Sequence, residues 1–286
     1  MTRYVVVNNL GHTVLFKGDP DRLTWMHSTA KPFQLLPLLK RSLDLRYSLT
    51  AGELTLLSSS HLAQPQHVAA FLSILQKTGI EEKSLILPPV APSGRISYHY
   101  WRMHCGIPQK RYHPCAGNHV AIMLLQRELT GSTTGYEQID SPAQQEILRY
   151  IEAYTGEFPA LETDNCGIPT YGISMYSLAS AYQRLACCSP SEDAFRLINA
   201  FHTAPVMVEG DGCLSTILCS SRGLIAKTGT NYLLALASLE QRLGIAVISE
   251  EGWADIIHVL PGLLSETGLF SKELGHKLND ISAGNC

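Results

Sequence analysis

The sequence predicts a mixed α/β fold of the α+β kind: both chain ends build one antiparallel sheet, helices flank it, and the middle forms a helical subdomain. Three observations predict this. Short β-branched or aromatic runs open the chain at Tyr4–Val7 and Thr13–Phe16. Comparable runs return late, at Leu224–Ala226, Tyr232–Leu236 and Ile245–Ile248. Between them, apolar residues recur at helical spacing over His119–Leu129, Pro142–Tyr154, Met175–Leu185, Ser191–Phe201 and Cys213–Ser220.

Local chemistry supports each element in turn. Asn8-Asn9-Leu10-Gly11 is good turn chemistry, so the first two strands read as a hairpin. A helix is expected from near Ser28, with Pro32 in its first turn, where a missing N–H costs nothing, and Phe33, Leu35, Leu36, Leu38 and Leu39 running into the core. Thr50 is a cap for Ala51–Ser58, with Ser60-His61 at the helix end or in the loop beyond it. Pro65 starts a further helix that Gly79 stops. From Leu85 to Pro108 prolines and aromatics alternate without period, which reads as ordered loop. A last helix is expected around Ala254–Leu264. The first and last helices are expected to pack on the sheet, with a site at its junction with the helical region. No linker divides residues 1–286, so one domain is expected.

At 286 residues and 45% apolar composition the chain can bury a large core. Its formal charge of −3 and absence of a basic tract speak against nucleic acid as a partner. No apolar run reaches bilayer length, and Met1–Val7 has no signal-peptide h-region, so no membrane association and a cytoplasmic location are expected. Eight irregularly spaced cysteines, Cys187-Cys188 among them, do not form a secreted disulfide pattern.

Two constellations carry chemistry. The first is Ser28-Thr29-Ala30-Lys31, which puts an amine beside a hydroxyl three residues away on one helix face. Lys227-Thr228-Gly229 follows a strand late in the chain, and Ser-x-x-Lys with a later Lys-Thr-Gly is the signature of penicillin-recognising serine hydrolases. Ser60 lies between them in order, although Leu62 stands where that signature has asparagine. The plain alternative makes Lys227 a solvated strand end and Ser60 one of three loop serines. The second constellation is His113-Pro114-Cys115-Ala116-Gly117-Asn118-His119 with Thr163-Asp164-Asn165-Cys166-Gly167. Its thiols, imidazole and carboxylate suit either a zinc ion or ordinary core packing.

Together these motifs resemble the rhizobial-type L-asparaginase family over nearly the whole chain. The resemblance rests on Gly18-Asp19-Pro20, Ser28 to Gln34, Ser60-His61 with His67, Cys115-Ala116-Gly117 with His119, Pro142-Ala143-Gln144, Asp164 to Gly167, Met207-Val208-Glu209-Gly210 and Ala226 to Gly229. It implies a fold similar to serine β-lactamases and penicillin-binding proteins, in a single catalytic domain. It also implies two Ser/Lys pairs, Ser28 with Lys31 and Ser60 with Lys227, as the catalytic residues. A zinc ion held by Cys115, Cys166 and a lysine is implied as cofactor, with substrate contacts from His61, Asn118 and Asp164. In this sequence the family lysine is replaced by Asn118 and the arginine before the first serine by His27.

The reaction implied is hydrolysis of the side-chain amide of L-asparagine to L-aspartate and ammonia. A serine needs a base for that, and bringing a lysine from about 10.4 to about 7 takes burial and a neighbouring positive charge, on the order of 4 kcal/mol. Which serine attacks stays open here. Two other readings stay open as well: a serine hydrolase of another small amide, and a non-catalytic descendant that binds a ligand or partner. A small-molecule amide is the expected partner, and a homodimer is the oligomeric alternative to a single chain.

Overall fold

Where each strand and helix begins follows from the sequence. The computed structural model describes residues 1–104, 106–221, 223–279 and 281. Strands β1 (Thr2–Val7) and β2 (Thr13–Lys17) form the expected hairpin, and β3 (Leu23–Trp25) follows. The Asn8 side chain accepts the N–H groups of Leu10 and His12 at 3.0 Å each, which closes the turn in the way an Asx residue allows. A 3-10 turn at His27–Ala30 leads into α1 (Lys31–Lys40), followed by α2 (Leu43–Arg46) and α3 (Ala51–Leu56). Thr50 and Glu53 form a reciprocal capping box at the head of α3. Helix α4 (Pro65–Thr78) ends at Gly79, whose φ of 67° is the left-handed stop that the sequence signalled.

The segment expected to be loop contains α5 (Arg95–Met103), a one-sided helix whose Ile96, Tyr100 and Met103 are exposed. Prolines around it hid the helical spacing. Helices α6 (Ala116–Thr130) and α7 (Pro142–Thr155) follow, then strands β4 (Ala160–Thr163) and β5 (Pro169–Ser174). These two strands with β3 make a second sheet, ordered β3-β5-β4, that interrupts the predicted all-helical middle. Helices α8 (Met175–Ala186), α9 (Ala194–Thr203) and α10 (Leu214–Cys219) complete that region. The chain ends in β6 (Leu224–Gly229), β7 (Leu233–Ser238), β8 (Leu243–Ser249), α11 (Trp253–Glu266) and α12 (Lys272–Asn279).

The main sheet has the order β2-β1-β8-β7-β6, with every neighbouring pair antiparallel. Its centre joins the chain ends, Thr2 opposite Ser249 and Val7 opposite Gly244. All six residues of β7 are buried, and since alternate residues face opposite sides, the sheet is covered on both faces there. Helix α11 packs on β8 and β1 as expected of the last helix, but α8, not α1, covers β1, β7 and β8. Helix α1 instead packs among α6, α7 and α9. The reason is in its sequence: nine of its ten residues are buried, so it needs helices on every side rather than a sheet on one.

Contact between α8 and the sheet is set by Gly244. A Cβ there would lie 1.9 Å from the Ala179 carbonyl oxygen of α8. Gly262, on the exposed side of α11, would meet nothing within 4 Å. Among the described residues no helix is long and apolar enough to cross a membrane. In urea melts, Gly244→Ala is expected to lower stability by about 3 kcal/mol or more, because backbone must move. Gly262→Ala is expected to raise it by about 0.5–1 kcal/mol, the difference in helix propensity.

Candidate active site

Ser60 is placed by hydrogen bonds on both sides of its loop. Its N–H donates to Val208 O at 3.1 Å, the next N–H, of His61, to Pro114 O at 3.3 Å, and that of Leu62 to Glu209 O at 2.9 Å. The loop is thereby fastened to two distant segments. Gly117 brings the second of them in: a Cβ at that position would sit 2.2 Å from Leu56 O, so only glycine lets the head of α6, with Cys115, lie against the end of α3.

Two amines meet on the Ser60 hydroxyl. Lys31 Nζ, at the start of α1, donates to Ser60 Oγ at 3.0 Å, and Lys227 Nζ, on β6, is also 3.0 Å from it. Lys31 further donates to Ser59 O at 2.8 Å and to Cys115 Sγ at 3.3 Å, and Lys227 to Thr228 O at 2.9 Å. Both lysines are buried, at 3% and 0% exposure. Burial, followed by the positive charge of Lys31, lowers the pKa of Lys227 to about 8. A hydroxyl has one hydrogen, so with both lysines charged it accepts twice and its own proton faces neither of them. With Lys227 neutral, the lone pair on Nζ can take that proton.

The pairing implied by the resemblance is therefore redistributed. Lys31 is not a partner of Ser28: its three bonds go to Ser59, Ser60 and Cys115. Ser28 lies in the 3-10 turn that precedes α1, one turn type earlier than expected, and lines the rim of the cleft. Ser60 and Lys227 do pair. The cleft, of about 390 Å³, is also lined by Asp164, Cys115, Cys166, Glu209 and Trp253.

Of the expected substrate contacts, Asp164 alone lines the cleft. It sits in the turn between β4 and β5, where its Oδ1 accepts from Asn165 N–H at 2.8 Å and lies 3.2 Å from His27 Nδ1. His27 adopts a φ of 45°, donates its N–H to Thr170 Oγ1 at 3.1 Å, and points its other ring nitrogen at the Asn231 side chain, 3.3 Å away. His61 does not reach the cleft. It is fully buried, its Nδ1 accepts from Ala63 N–H at 3.1 Å, and its ring lies 5.4 Å from that of His67. Burial, then the neighbouring His67 and Lys31, keep its pKa well below the usual range, so it is neutral. Asn118 is likewise fully buried and does not line the cleft, and neither atom of its amide has a partner among the described residues.

Cys115 and Cys166 do come together. The Cys166 thiol hydrogen-bonds the Cys115 sulfur, and that bond, with the Lys31 charge and His113, draws the Cys115 pKa well below the usual thiol range. The same bond and burial push Cys166 up, so the proton stays on Cys166. These residues do not fit a zinc ion: no group of three or more His, Cys, Asp or Glu converges among the described residues, against a minimum of three protein ligands. The third donor implied by the resemblance is the amide Asn118, and the Lys31 amine beside Cys115 is already bonded to Ser59 and Ser60.

The sequence gives no role to Asn231; Glu209 and Thr228 enter only as members of motifs, and His113 only as an imidazole in the candidate zinc constellation. The site is thus one hydroxyl held by two buried amines at a cleft between sheet and helices. The chain itself is a member of the L-asparaginase II family, whose model matches residues 1–285, and so of an asparaginase-like group of amidohydrolases.

Among solved structures, the native form of Mglu in 4.3 M NaCl is similar at 13% identity and a TM-score of 0.50, over 95% of this chain and 62% of that one. The L-glutamate binding form of Mglu in the same salt gives 12% identity and a TM-score of 0.50 over the same shares. The chain thus spans less than two thirds of Mglu, and shares its fold. A β-lactamase from Mycobacterium bovis, Mb2281c, matches at 13% identity and a TM-score of 0.45, over 93% of this chain and 94% of that one. No curated protein matches the sequence.

Asn118→Lys should supply the missing third donor. Dialysed against zinc and then buffer, the variant is expected to retain close to one zinc per chain by elemental analysis, and the unchanged protein well under half of that.

Proposed function

We propose that the protein hydrolyses the side-chain amide of L-asparagine to L-aspartate and ammonia, with Ser60 as nucleophile. The observation that carries this reading is the Ser60 hydroxyl at 3.0 Å from each of two buried lysine amines. Among the described residues Ser60 has a base in reach and Ser28 has none, which favours Ser60.

Lys227 acts as the base. With a pKa near 8, about one molecule in ten carries it neutral at pH 7, against about one in three thousand for an ordinary lysine. Neutral Lys227 takes the Ser60 proton as Oγ attacks the amide carbon, and the Lys31 ammonium, 3.0 Å from Oγ, favours negative charge there. Collapse of the tetrahedral intermediate breaks the C–N bond. Lys227 returns its proton to the leaving nitrogen, so ammonia departs and an ester to Ser60 remains. A water molecule, losing its proton to Lys227, then attacks the ester, and that proton restores the Ser60 hydroxyl as aspartate leaves. Asp164, at the rim, suits the α-ammonium of the substrate, and Ser28 suits a hydrogen bond to it.

A second reading, a serine hydrolase of another small amide, is favoured by His27. Its ring is occupied by Asp164 and Asn231 where a free cation for a substrate carboxylate would be useful. Ammonia release from asparagine, glutamine and simple amides separates the two readings.

Ser60→Ala is expected to reduce ammonia release from asparagine by about a thousandfold or more, and Ser28→Ala by about tenfold. Equal turnover by Ser60→Ala and the unchanged protein overturns the serine mechanism. Since the neutral amine is the active form and its pKa is depressed, kcat/KM is expected to rise with pH through a midpoint near 8 and level off above it.

A further inference from the structure

We propose that Glu209 is a positioning residue for this reaction: its carboxylate ties the strand carrying Lys227 to the Ser60 loop and places a negative charge beside the two amines. The inference deepens the Ser60 reading and takes its catalytic meaning from it.

Glu209 joins both halves of the pair. Its backbone carbonyl accepts the Leu62 N–H at 2.9 Å, two residues beyond Ser60, while the preceding carbonyl, of Val208, accepts the N–H of Ser60 itself. Its side chain reaches the other half. Oε1 accepts from the Thr228 hydroxyl at 2.9 Å, and Oε2 accepts the Ser215 N–H at 3.2 Å, at the head of α10. Ser215 closes the ring by donating its hydroxyl to Thr228 Oγ1 at 3.1 Å and accepting the Thr228 N–H at 3.0 Å. Thr228 also offers the carbonyl that Lys227 Nζ bonds at 2.9 Å. Moving Glu209 therefore moves the anchor of the base.

The second half of the inference is charge. The titratable groups that face Lys227 are Lys31 on α1, Glu209, Cys219 on α10 and Cys115 at the head of α6. Lys31 favours the neutral amine, and Glu209 is the foremost of the groups that oppose it. Glu209 thus keeps Lys227 from losing its proton too readily, so that the amine can still give a proton to the leaving nitrogen. Glutamine has the same shape but neither the charge nor a second acceptor for the Ser215 N–H. Removing the negative charge lowers the affinity of Lys227 for its proton, so the pH at which it becomes neutral falls.

The test reads Lys227 directly. Protein carrying 13C at the lysine ε-carbons, with the Lys227 signal assigned by its loss in Lys227→Met, is titrated for the unchanged sequence, Glu209→Asp and Glu209→Gln. The pH dependence of ammonia release from asparagine is measured on the same samples. The midpoint is expected to fall in the order unchanged, Asp, Gln, by about half a pH unit or more for Gln, with the acid limb of the rate moving in step. A folded Glu209→Gln with an unmoved midpoint overturns the proposal, as does a rate loss equal at every pH, which marks a merely structural residue. If Glu209→Gln does not fold, the Asp variant decides: its carboxylate is drawn back by one methylene from Thr228 and Lys227, so its midpoint is expected below the unchanged one, and an unmoved midpoint overturns the proposal. A protein that releases no ammonia from any amide removes the Ser60 reading, and the titration midpoints still decide the role of Glu209.

Discussion

The site depends on two buried lysines sharing one hydroxyl. Depressing Lys227 from 10.5 to about 8 corresponds to about 3 kcal/mol that folding must supply below pH 8. The sign follows from linkage: the folded pKa lies below the unfolded one, so the cost is full below about pH 8, fades as pH rises from there to the ordinary lysine range, and is gone above it. What sustains it is the continuous body of buried apolar side chains that runs from Val5 to Leu278. Such a core stabilises by roughly 25 cal/mol for each Å² of apolar surface removed from water, enough to hold a few unfavourable charges in place.

The same constraint explains the unusual polarity around Ser60. Lys31 and Lys227 each have at least one backbone carbonyl as partner, from Ser59 and Thr228. Carbonyl dipoles lower the cost of an ammonium without pinning it in the charged state as a carboxylate would, and among the described residues neither lysine pairs directly with a carboxylate, although Lys31 also faces the Cys115 sulfur. The carboxylates stand off, Glu209 behind a threonine hydroxyl and Asp164 at the rim beside His27. This arrangement suits the proton-transfer role proposed for Lys227.

The frame was legible in the sequence where local chemistry and periodicity agreed. The Asn8 turn, the Thr50–Glu53 cap and the Gly79 stop were each visible in a few residues and stand as read. Sheet closure by both chain ends was also visible, because the strand-like runs sit only there and around a short inner hairpin. That inner hairpin is not marked in the sequence: β4 is exposed throughout, and its two apolar residues, Ala160 and Leu161, are followed by two polar ones without alternation. Helix α5 was missed because its flanking prolines break the period. At the site, residue types were legible and partners were not. Ser28 and Lys31 are only three residues apart in sequence, yet the long Lys31 side chain runs away from Ser28 to Ser59, Ser60 and Cys115, partners that only the tertiary packing brings near. His61 and Asn118 are polar residues in motif positions that tertiary packing seals away from the cleft, which no spacing rule reports.

Sheet order has a consequence for how a cell makes this protein. On the ribosome, Lys31, Ser60 and Cys115 emerge long before Lys227, and the amino-terminal strand β1 waits for β8 to pair. A nascent chain that lacks the last three strands holds Ser60 and Lys31 without Lys227, and its first hairpin keeps an open edge. Until β8 arrives, that edge stays open to pairing with any other strand, which is where the unfinished sheet is exposed to misassociation.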